Sequence, residues 1–305
     1  MFTPRLTRPT SGNKYYIHKA SGGYSSAIIG KVKSTGKPDP QCNVLANCVG
    51  YAYGRFNEIG GYNACKYLSP VNAENFPEYA KGLQLGAEPK LGAIMVWKKG
   101  TSLKGEDGAG HVCVVERINP DGSVLTSHSG WNSTVFWTET IKKGDGNWRC
   151  SWMGSAYTFR CFIYNPAVSD DEADLMTFTP GARGDGVKKL QTNLNKLGYS
   201  LAVDGSYGPA CVAAIKDYQQ RKKLVVDGIC GIATGLAIKT DLKILANRPS
   251  SVTDLKLILN GVERTCWATN LGGQNYIRLV DLVNLGLAKE ITYNAAKKMP
   301  EVITK

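Results

Sequence analysis

The sequence predicts an α+β protein of three parts, and three observations lead to this fold class. Short apolar runs separated by Gly, Asn and Asp occupy residues 91–127, as is typical of a small antiparallel sheet. Apolar residues at helical spacing precede this region at 47–59 and return after residue 185. The chain has 305 residues, which exceeds one ordinary core at roughly 100–200 residues per domain. We therefore expect an antiparallel sheet with a helix, followed by smaller modules.

The first predicted helix covers residues 47–59. Val49, Ala52, Tyr53 and Phe56 recur there at helical spacing. The strands that follow are expected at 91–97, 112–118 and 123–127. A turn of Asn, Pro, Asp and Gly joins the last two strands, which should therefore pair antiparallel.

The region after residue 185 has the pattern of a small helical domain. Four apolar residues line one face of a predicted helix at 185–197, and Gly198 ends it. A second helix is predicted at 210–220. An Asp-Gly turn occurs twice around these helices, at Asp204 and at Asp227, and each turn is followed by a second glycine. This internal repeat predicts two tight loops that each lead into a helix.

Changes in composition mark the module boundaries. The segment 167–175 is rich in acidic residues in an otherwise basic chain, which predicts a linker. The pattern changes again near residue 248, where a β-type run ends in Asn260 and Gly261, a hairpin signal. We predict a first domain at 1–166, a linker at 167–175, a three-helix domain at 176–244 and a small β-rich module at 245–305.

The chain is basic, with 37 Lys and Arg against 25 Asp and Glu and a formal net charge of +12. Such a charge favours polyanionic partners such as nucleic acid, an anionic membrane surface or an acidic cell-wall polymer. The aromatic residues do not alternate with basic ones as in nucleic-acid-binding proteins, and no segment approaches the ~20 apolar residues of a membrane helix. We therefore expect neither nucleic-acid binding nor membrane insertion.

The nine cysteines are an odd number scattered over a long chain, unlike the dense framework of a small secreted domain. The first residues lack the apolar stretch of a signal peptide. We therefore expect a soluble, reduced cytosolic product with at least one free thiol. The sequence has no Cys pair at zinc-binding spacing and no phosphate-binding glycine loop, which predicts a metal-independent protein without a cofactor.

The candidate catalytic residues are a cysteine and two of the three histidines. Cys48 lies at the predicted start of the first helix, where the helix N-terminus stabilises a thiolate. His111 lies at the mouth of one predicted strand and His128 begins the loop after the next, so antiparallel pairing brings both to the same end of the sheet. A thiol with a nearby base and a residue that orients the base is the arrangement of nucleophilic catalysis.

Three motifs occur in a specific order. They are Asn47-Cys-Val-Gly-Tyr-Ala-Tyr-Gly-Arg55, Leu91-Gly-Ala-Ile-Met-Val-Trp97 and Gly110-His-Val-Cys-Val-Val-Glu116. The surrounding region, residues 35–165, resembles the CHAP family, the cysteine, histidine-dependent amidohydrolase/peptidases of peptidoglycan hydrolases. The resemblance implies a papain-like α+β fold in which a helix-borne cysteine faces the antiparallel sheet. It also implies that Cys48 is the nucleophile and His111 the general base.

The third catalytic member of that family is commonly Glu, Asp or Asn on the strand after the histidine. His128 stands in that place here. A neutral histidine can accept a hydrogen bond from His111, but it supplies no negative charge to stabilise an imidazolium. Asn132 is the fallback for the orienting role. Glu116 ranks after it, because an odd step along the strand from His111 points Glu116 to the opposite face.

The second and third modules carry resemblances of their own. The segment 179–191, the Leu-Gly-Tyr at 197–199 and the two Asp-Gly turns resemble the peptidoglycan-binding domain 1 family. This implies a three-helix unit in which Asp204 and Asp227 shape a shallow muropeptide site or cap their turns. The tail is similar to the copper amine oxidase N-terminal domain but implies no copper site, because it contains no histidine. Trp131, beside His128, is a further candidate for substrate binding.

Together the resemblances imply a peptidoglycan hydrolase of the phage endolysin type. The bond cleaved is an amide, either in the peptide stem or cross-bridge or between N-acetylmuramic acid and L-alanine. The implied partners are the peptidoglycan of a Gram-positive host and its anionic wall polymers. The implied location is the cytoplasm of the infected host until a holin-type release, and then the cell wall. The alternatives are a host-encoded wall-remodelling hydrolase and a non-catalytic wall-binding protein.

Overall fold

The computed structural model describes most of the first 246 residues and, beyond them, five strands. The described ranges are 1–10, 13–18, 44–45, 47–61, 67–68, 71–131, 136–145, 147–246, 253–259, 262–271, 274–277, 288–294 and 299–304. The chain divides into two compact units, Met1–Lys239 and Thr240–Lys305. None of the described helices is both long enough and apolar enough to cross a membrane.

The helices occur in two groups along the described part of the chain. They are α1 (Cys48–Gly60), α2 (Phe76–Tyr79), α3 (Asp170–Ala173), α4 (Asp185–Lys196), α5 (Pro209–Arg221) and α6 (Ile232–Ala246), with a 3-10 turn at Ala73–Asn75. The first unit contains the strands β1 (Ile17–His18), β2 (Val44–Leu45), β3 (Leu85–Gly86), β4 (Ile94–Lys99), β5 (His111–Ile118), β6 (Val124–His128), β7 (Trp137–Ile141), β8 (Lys143–Gly144), β9 (Asn147–Trp148) and β10 (Tyr157–Ile163).

A six-stranded antiparallel sheet forms the centre of the first unit, in the order β3-β10-β4-β5-β6-β7. It confirms the predicted α+β fold class, and the predicted antiparallel pairing of the last two strands is found as β5 and β6. Trp97 of β4 lies opposite His111 of β5, and His128 of β6 lies opposite Trp137 of β7. The register therefore gathers both histidines and two tryptophans at one end of the sheet.

The sheet is covered on both faces. Val112 and Val114 of β5 pack in one buried cluster with α1, whereas Cys113 and Val115 pack in a second cluster. Successive side chains of a strand point to opposite faces, so the two clusters lie on the two sides of the sheet. A strand that is buried on both faces is apolar throughout, which explains the continuous apolar run in the β5 sequence.

The start of α1 is fixed by Asn47. Its side-chain Oδ1 accepts hydrogen bonds from the backbone N–H groups of Val49 and Gly50, at 3.0 and 3.1 Å. These bonds satisfy two of the donors that every helix N-terminus leaves free. The helix ends at Gly61, whose φ of 68° is the left-handed conformation that glycine adopts at little cost. Cys48 is therefore held as the first residue of a well-defined helix.

A buried ion pair joins α1 to the sheet. Arg55 of α1 donates from Nε and Nη2 to the two carboxylate oxygens of Glu116 on β5, at 2.9 and 2.8 Å. The Ser127 hydroxyl of β6 also donates to Glu116, at 2.7 Å, and so does the backbone N–H of Arg5. The Glu116 side chain is completely buried and that of Arg55 nearly so. Glu116 thus lies on the face that packs α1, turned away from His111 as the odd step predicts.

The segment predicted as a linker, 167–175, contains the short helix α3. Val168 and Ala173 are buried in the second cluster, and the Ala173 carbonyl accepts a hydrogen bond from the Leu91 N–H at 2.6 Å. Farther on, the Gly186 N–H at the start of α4 donates to the Pro120 carbonyl in the β5–β6 turn, at 3.2 Å. The helical domain is therefore in contact with the sheet domain. The predicted module boundaries themselves stay a prediction.

The second unit is rich in strands where it is described. β11 (Thr253–Leu259), β12 (Val262–Leu271) and β13 (Gln274–Ile277) form an antiparallel sheet, and β14 (Ala288–Asn294) pairs with β15 (Met299–Thr304). Leu259 lies opposite Val262, so the hairpin predicted from the Asn-Gly signal is confirmed. Asn260 and Gly261 themselves lie outside the described residues.

We expect Glu116→Gln to lower the free energy of unfolding by about 3–5 kcal/mol, because it leaves the Arg55 guanidinium buried without its counter-charge. The measurement is urea unfolding followed by circular dichroism. Lys188→Ala, which breaks an exposed ion pair with Asp185, is the control and should cost under about 1 kcal/mol. A Glu116→Gln effect as small as that of the control would contradict the role given to this pair.

Candidate active site

A cleft of about 680 Å³ opens where α1 meets the histidine end of the sheet. Cys48 and His111 both line it, although 62 residues separate them in the sequence. Four aromatic side chains share the lining: Trp131, Trp137, Trp152 and Tyr157. The volume is in the range of sites that hold a small molecule or a short polymer segment. The structure therefore brings the two predicted catalytic side chains into one site.

Cys48 lines this cleft as a free, partly buried thiol. Burial raises the pKa of the Cys48 thiol, and hydrogen bonds from the backbone N–H groups of Val112, Val49 and Cys48 itself act in the opposite direction. Those N–H groups stabilise negative charge on sulfur or on an atom that binds beside it. The resting thiol therefore keeps its proton, while the helix N-terminus is ready to stabilise the charge formed during a reaction.

His111 is only 4% exposed. The ring of Trp152 meets it edge-on, with centroids 5.0 Å apart, and the ring of Trp137 stacks at 6.2 Å. Burial among these rings lowers the pKa of His111 to about 3. The imidazole is therefore neutral at physiological pH and has one nitrogen that can accept a proton.

His128 contacts His111 directly. His111 Nε2 and His128 Nδ1 are 3.1 Å apart, and the two rings are nearly parallel. His128 is completely buried and stacks on Trp137 with centroids 4.9 Å apart. Burial, and secondarily the neighbouring His111, hold the pKa of His128 well below its ordinary value. The prediction that both histidines lie together at one end of the sheet is confirmed.

Thr126 sets the direction of the hydrogen bonds between these rings. Its hydroxyl donates to the Glu139 carbonyl at 2.8 Å, and its Oγ1 is 2.6 Å from His128 Nε2. A hydroxyl has one proton to donate, so His128 Nε2 must carry the proton in its bond with Thr126. His128 Nδ1 then accepts, and His111 Nε2 donates to it. The lone pair of His111 is therefore on Nδ1, the nitrogen left to act as a base.

Of the two other residues predicted near the catalytic site, one lines the cleft and one is not described. Trp131 is 60% exposed and lines the cleft, whereas Asn132 lies outside the described residues. The sequence analysis missed Thr126, although its position two residues before His128 places both side chains on one face of β6. It also missed Trp152, which lies in a loop that no periodic pattern could assign to the cleft.

Asp204 and Asp227 occupy equivalent turns. Asp204 Oδ1 accepts from Gln191 Nε2 and from the Ser206 N–H, both at 2.8 Å. Asp227 Oδ1 accepts at the same distance from Gln219 Nε2 and from the backbone N–H two residues on. In both turns the glutamine also accepts from the glycine after the aspartate, at 2.9 Å. The two turns of the predicted repeat therefore have the same hydrogen bonds. In each turn, one carboxylate oxygen of the aspartate accepts the hydrogen bonds that shape the turn.

One group of possible metal ligands occurs among the described residues. His128, Glu139 and Cys150 each offer one ligand atom, and these atoms lie within 4.8 Å of one another. Burial and the neighbouring Glu139 raise the pKa of the Cys150 thiol far above its ordinary value. The three residues come from β6, β7 and the loop after β9, so no local ligand spacing could have revealed them.

Residues 38–130 match the CHAP domain family. This CHAP match contains Cys48, His111 and His128. Residues 183–238 match a peptidoglycan binding domain family, and this match contains Asp204 and Asp227. A CHAP domain and a peptidoglycan-binding domain are therefore both found in the chain, in the order that the motifs predict.

Individual relatives are similar over shorter stretches. The zinc D-Ala-D-Ala carboxypeptidase of Streptomyces albus G is 39% identical over 61 residues, which are 19% of this chain and 24% of that protein. A crystal structure of an N-acetylmuramoyl-L-alanine amidase from Staphylococcus aureus is 24% identical, with a TM-score of 0.28, over 39% of this chain and 30% of that chain. The chain thus spans less than a third of the length of either relative.

We expect Thr126→Val to disturb the ring protons of both histidines, because it removes the acceptor of the His128 Nε2–H. The ¹⁵N chemical shifts of the ring nitrogens report the tautomer. They should show one tautomer of His128 in the unaltered protein and a changed population in Thr126→Val. Thr126→Ser keeps the hydroxyl and should leave the shifts unchanged. Identical spectra for the valine and serine variants would contradict the assigned direction of the hydrogen bonds.

Proposed function

We propose that this protein is a peptidoglycan hydrolase that cleaves an amide bond with Cys48 as nucleophile and His111 as general base. The observation that carries the proposal is the shared cleft of Cys48 and His111, with His111 bonded to His128. The CHAP match over the same residues and the peptidoglycan-binding match farther along the chain support it. The Streptomyces albus G relative that shares a part of the chain is named a zinc D-Ala-D-Ala carboxypeptidase.

The proposed reaction begins with two neutral groups. The Cys48 thiol gives its proton to Nδ1 of His111 as Sγ attacks the amide carbonyl carbon. The backbone N–H groups at the start of α1 stabilise the oxyanion of the tetrahedral intermediate. The protonated His111 then gives its proton to the leaving amine, and the C–N bond breaks. Water, activated by His111, hydrolyses the resulting thioester and restores the thiol.

The aromatic lining fits a substrate made of sugar and peptide. Trp131 and Trp152 are both largely exposed at the cleft, where flat apolar surfaces stack on sugar rings and cover peptide side chains. We propose that these two side chains hold the substrate while Cys48 reaches the amide. The amide is either in the peptide stem or cross-bridge or between N-acetylmuramic acid and L-alanine.

The biological role that we propose is that of a phage endolysin acting on a Gram-positive host. The protein would stay in the cytoplasm of the infected cell until a holin-type release and would then act in the cell wall. The net charge of +12 supports attraction to anionic wall polymers, and the peptidoglycan-binding match supports attachment to the wall. Purified protein should therefore clear Gram-positive walls, and its binding should weaken as salt rises.

We expect Cys48→Ala to abolish the clearing of purified Gram-positive walls, because the alanine side chain has no nucleophile. Turbidity of a wall suspension is the measurement, and wall binding in a pull-down should be unchanged. Cys161→Ala removes another partly buried free thiol and should retain activity. Clearing by Cys48→Ala at a rate near that of the unaltered protein would refute the proposed mechanism and favour a non-catalytic wall-binding protein.

We expect His128→Ala to reduce kcat by a factor of about 10²–10⁴, because His111 loses the partner that fixes its ring and its tautomer. KM should change much less, since His128 is completely buried and is not among the side chains that line the cleft. The measurement is initial rates on solubilised wall fragments. A loss smaller than about tenfold would move the orienting role to Asn132.

The chemical groups formed in the products identify the bond that is cleaved. We expect mass spectrometry of muropeptides released from defined walls to show new peptide amines or free lactyl carboxylates, and no new reducing sugar ends. New reducing ends would indicate glycosidase chemistry, which the Cys48–His111 pair does not support.

A further inference from the structure

The three possible metal ligands described above share a residue with the catalytic site. His128 bonds to His111 through Nδ1, and it also belongs to the group formed with Glu139 and Cys150. Cys150 is buried, and Glu139 is half-buried. The same imidazole can therefore serve the catalytic base or a bound metal ion.

We propose that Cys150, Glu139 and His128 form a binding site for a divalent metal ion of the zinc class, and that its occupation switches off the neighbouring active site. Thiolate, carboxylate and imidazole are the three ligand types that Zn²⁺ takes from proteins. Mg²⁺ and Ca²⁺ prefer all-oxygen ligands and are poorly suited to a site with a thiolate and an imidazole.

The three ligand atoms need to move only a short distance to reach the geometry of a zinc site. With bonds of about 2.0–2.3 Å, the ligand atoms of a tetrahedral zinc site stand roughly 3.3–3.8 Å apart. The three atoms here are already within 4.8 Å of one another. Glu139 lines the open cleft, where its Oε1 accepts a hydrogen bond from the Ser151 N–H beside Cys150, so a short shift of this carboxylate would complete the group. The cleft also gives the metal ion a path from solvent.

The charges balance in the occupied site. The Cys150 thiol releases its proton to solvent on binding, so that thiolate and carboxylate together carry two negative charges against the two positive charges of the ion. A buried site is stable only when such charges compensate. Without the ion, a Cys150 thiolate beside the Glu139 carboxylate would be costly, since both charges are negative.

Coordination of the metal ion through either nitrogen of His128 would prevent His111 from acting as the base. If Nδ1 binds the metal, it loses the lone pair that accepts the hydrogen bond from His111. If Nε2 binds, its proton must move to Nδ1, which then donates to His111 Nε2. His111 would then carry its own proton on Nδ1, the atom that has to accept the proton of Cys48. Both routes end with Cys48 lacking a correctly oriented base.

The binding test uses the full chain in metal-free buffer with Co²⁺ as the spectroscopic probe. We expect one Co²⁺ per chain, with the charge-transfer absorption of a thiolate–cobalt bond, and displacement by Zn²⁺. Cys150→Ser and Glu139→Gln should each weaken binding at least tenfold, and Cys150→Ser should also remove the absorption band. Cys161→Ser is the matched control and should bind like the unaltered protein. Absence of the band, or its persistence in Cys150→Ser, would overturn the site.

The inhibition test rests on the proposed function. Its measurement is wall clearing, which is independent of the cobalt-binding measurement. Zn²⁺ should inhibit wall clearing reversibly, with recovery on adding EDTA, and Mg²⁺ should have no such effect. Cys150→Ser should clear walls within about twofold of the normal rate in zinc-free buffer and should need at least tenfold more Zn²⁺ for inhibition. Cys150→Ala provides the same comparison if Cys150→Ser fails to fold, as judged by circular dichroism.

The outcomes of the two tests separate the two proposals. Equal sensitivity of Cys150→Ser and unaltered protein to Zn²⁺, or cobalt binding without any inhibition, would overturn the switch. A protein that binds Co²⁺ through Cys150 but never clears walls, even with EDTA, would refute the proposed function and leave the metal site standing.

Discussion

The buried ion pair between Arg55 and Glu116 is the interaction on which the candidate site depends. It fastens the helix that begins with Cys48 to the strand that begins with His111. Desolvating two charges is costly, and the pair is tolerated because backbone and hydroxyl donors satisfy the remaining oxygen positions of Glu116. An apolar contact at this point has no directional preference. The bidentate pair of Arg55 and Glu116 does, and it therefore fixes the rotation of the helix relative to the strand. The separation of the Cys48 and His111 side chains is thus set by a contact far from either of them.

The two domains of the first unit touch at the turn between β5 and β6, at the end of these strands that is remote from the histidines. β5 and β6 carry His111 and His128 at one end and meet the helical domain through the Pro120 turn at the other. A side chain at Gly186 would stand only 2.8 Å from the Pro120 carbonyl oxygen, so glycine is required for this approach. The domain that carries the peptidoglycan-binding match is therefore packed directly against the turn that joins the two histidine-bearing strands.

The sequence was sufficient for the parts of the fold that depend on local pattern and order. Helical spacing located α1, apolar runs located β4, β5 and β6, and the turn between the last two predicted their pairing and the approach of His111 to His128. What it could not give depends on contacts between distant segments. Trp152 reaches His111 from a loop, and Cys150 joins His128 only because β6, β7 and that loop meet in three dimensions. Thr126 was within reach of sequence reasoning, since it shares a strand face with His128, but its role appears only when both of its hydrogen bonds are known.

A histidine in the proposed orienting position creates a requirement that an acidic residue would not. A carboxylate has no proton and can only accept, so it fixes the direction of its hydrogen bond to the base by itself. A neutral histidine exists in two tautomers, and only the one with its lone pair on Nδ1 can accept from His111. Some further group must select that tautomer, and the Thr126 hydroxyl, directed by the Glu139 carbonyl, does so. The missing negative charge is consistent with the neutral thiol and imidazole of the site, because among the described residues no negative charge offsets the burial that disfavours an imidazolium at His111.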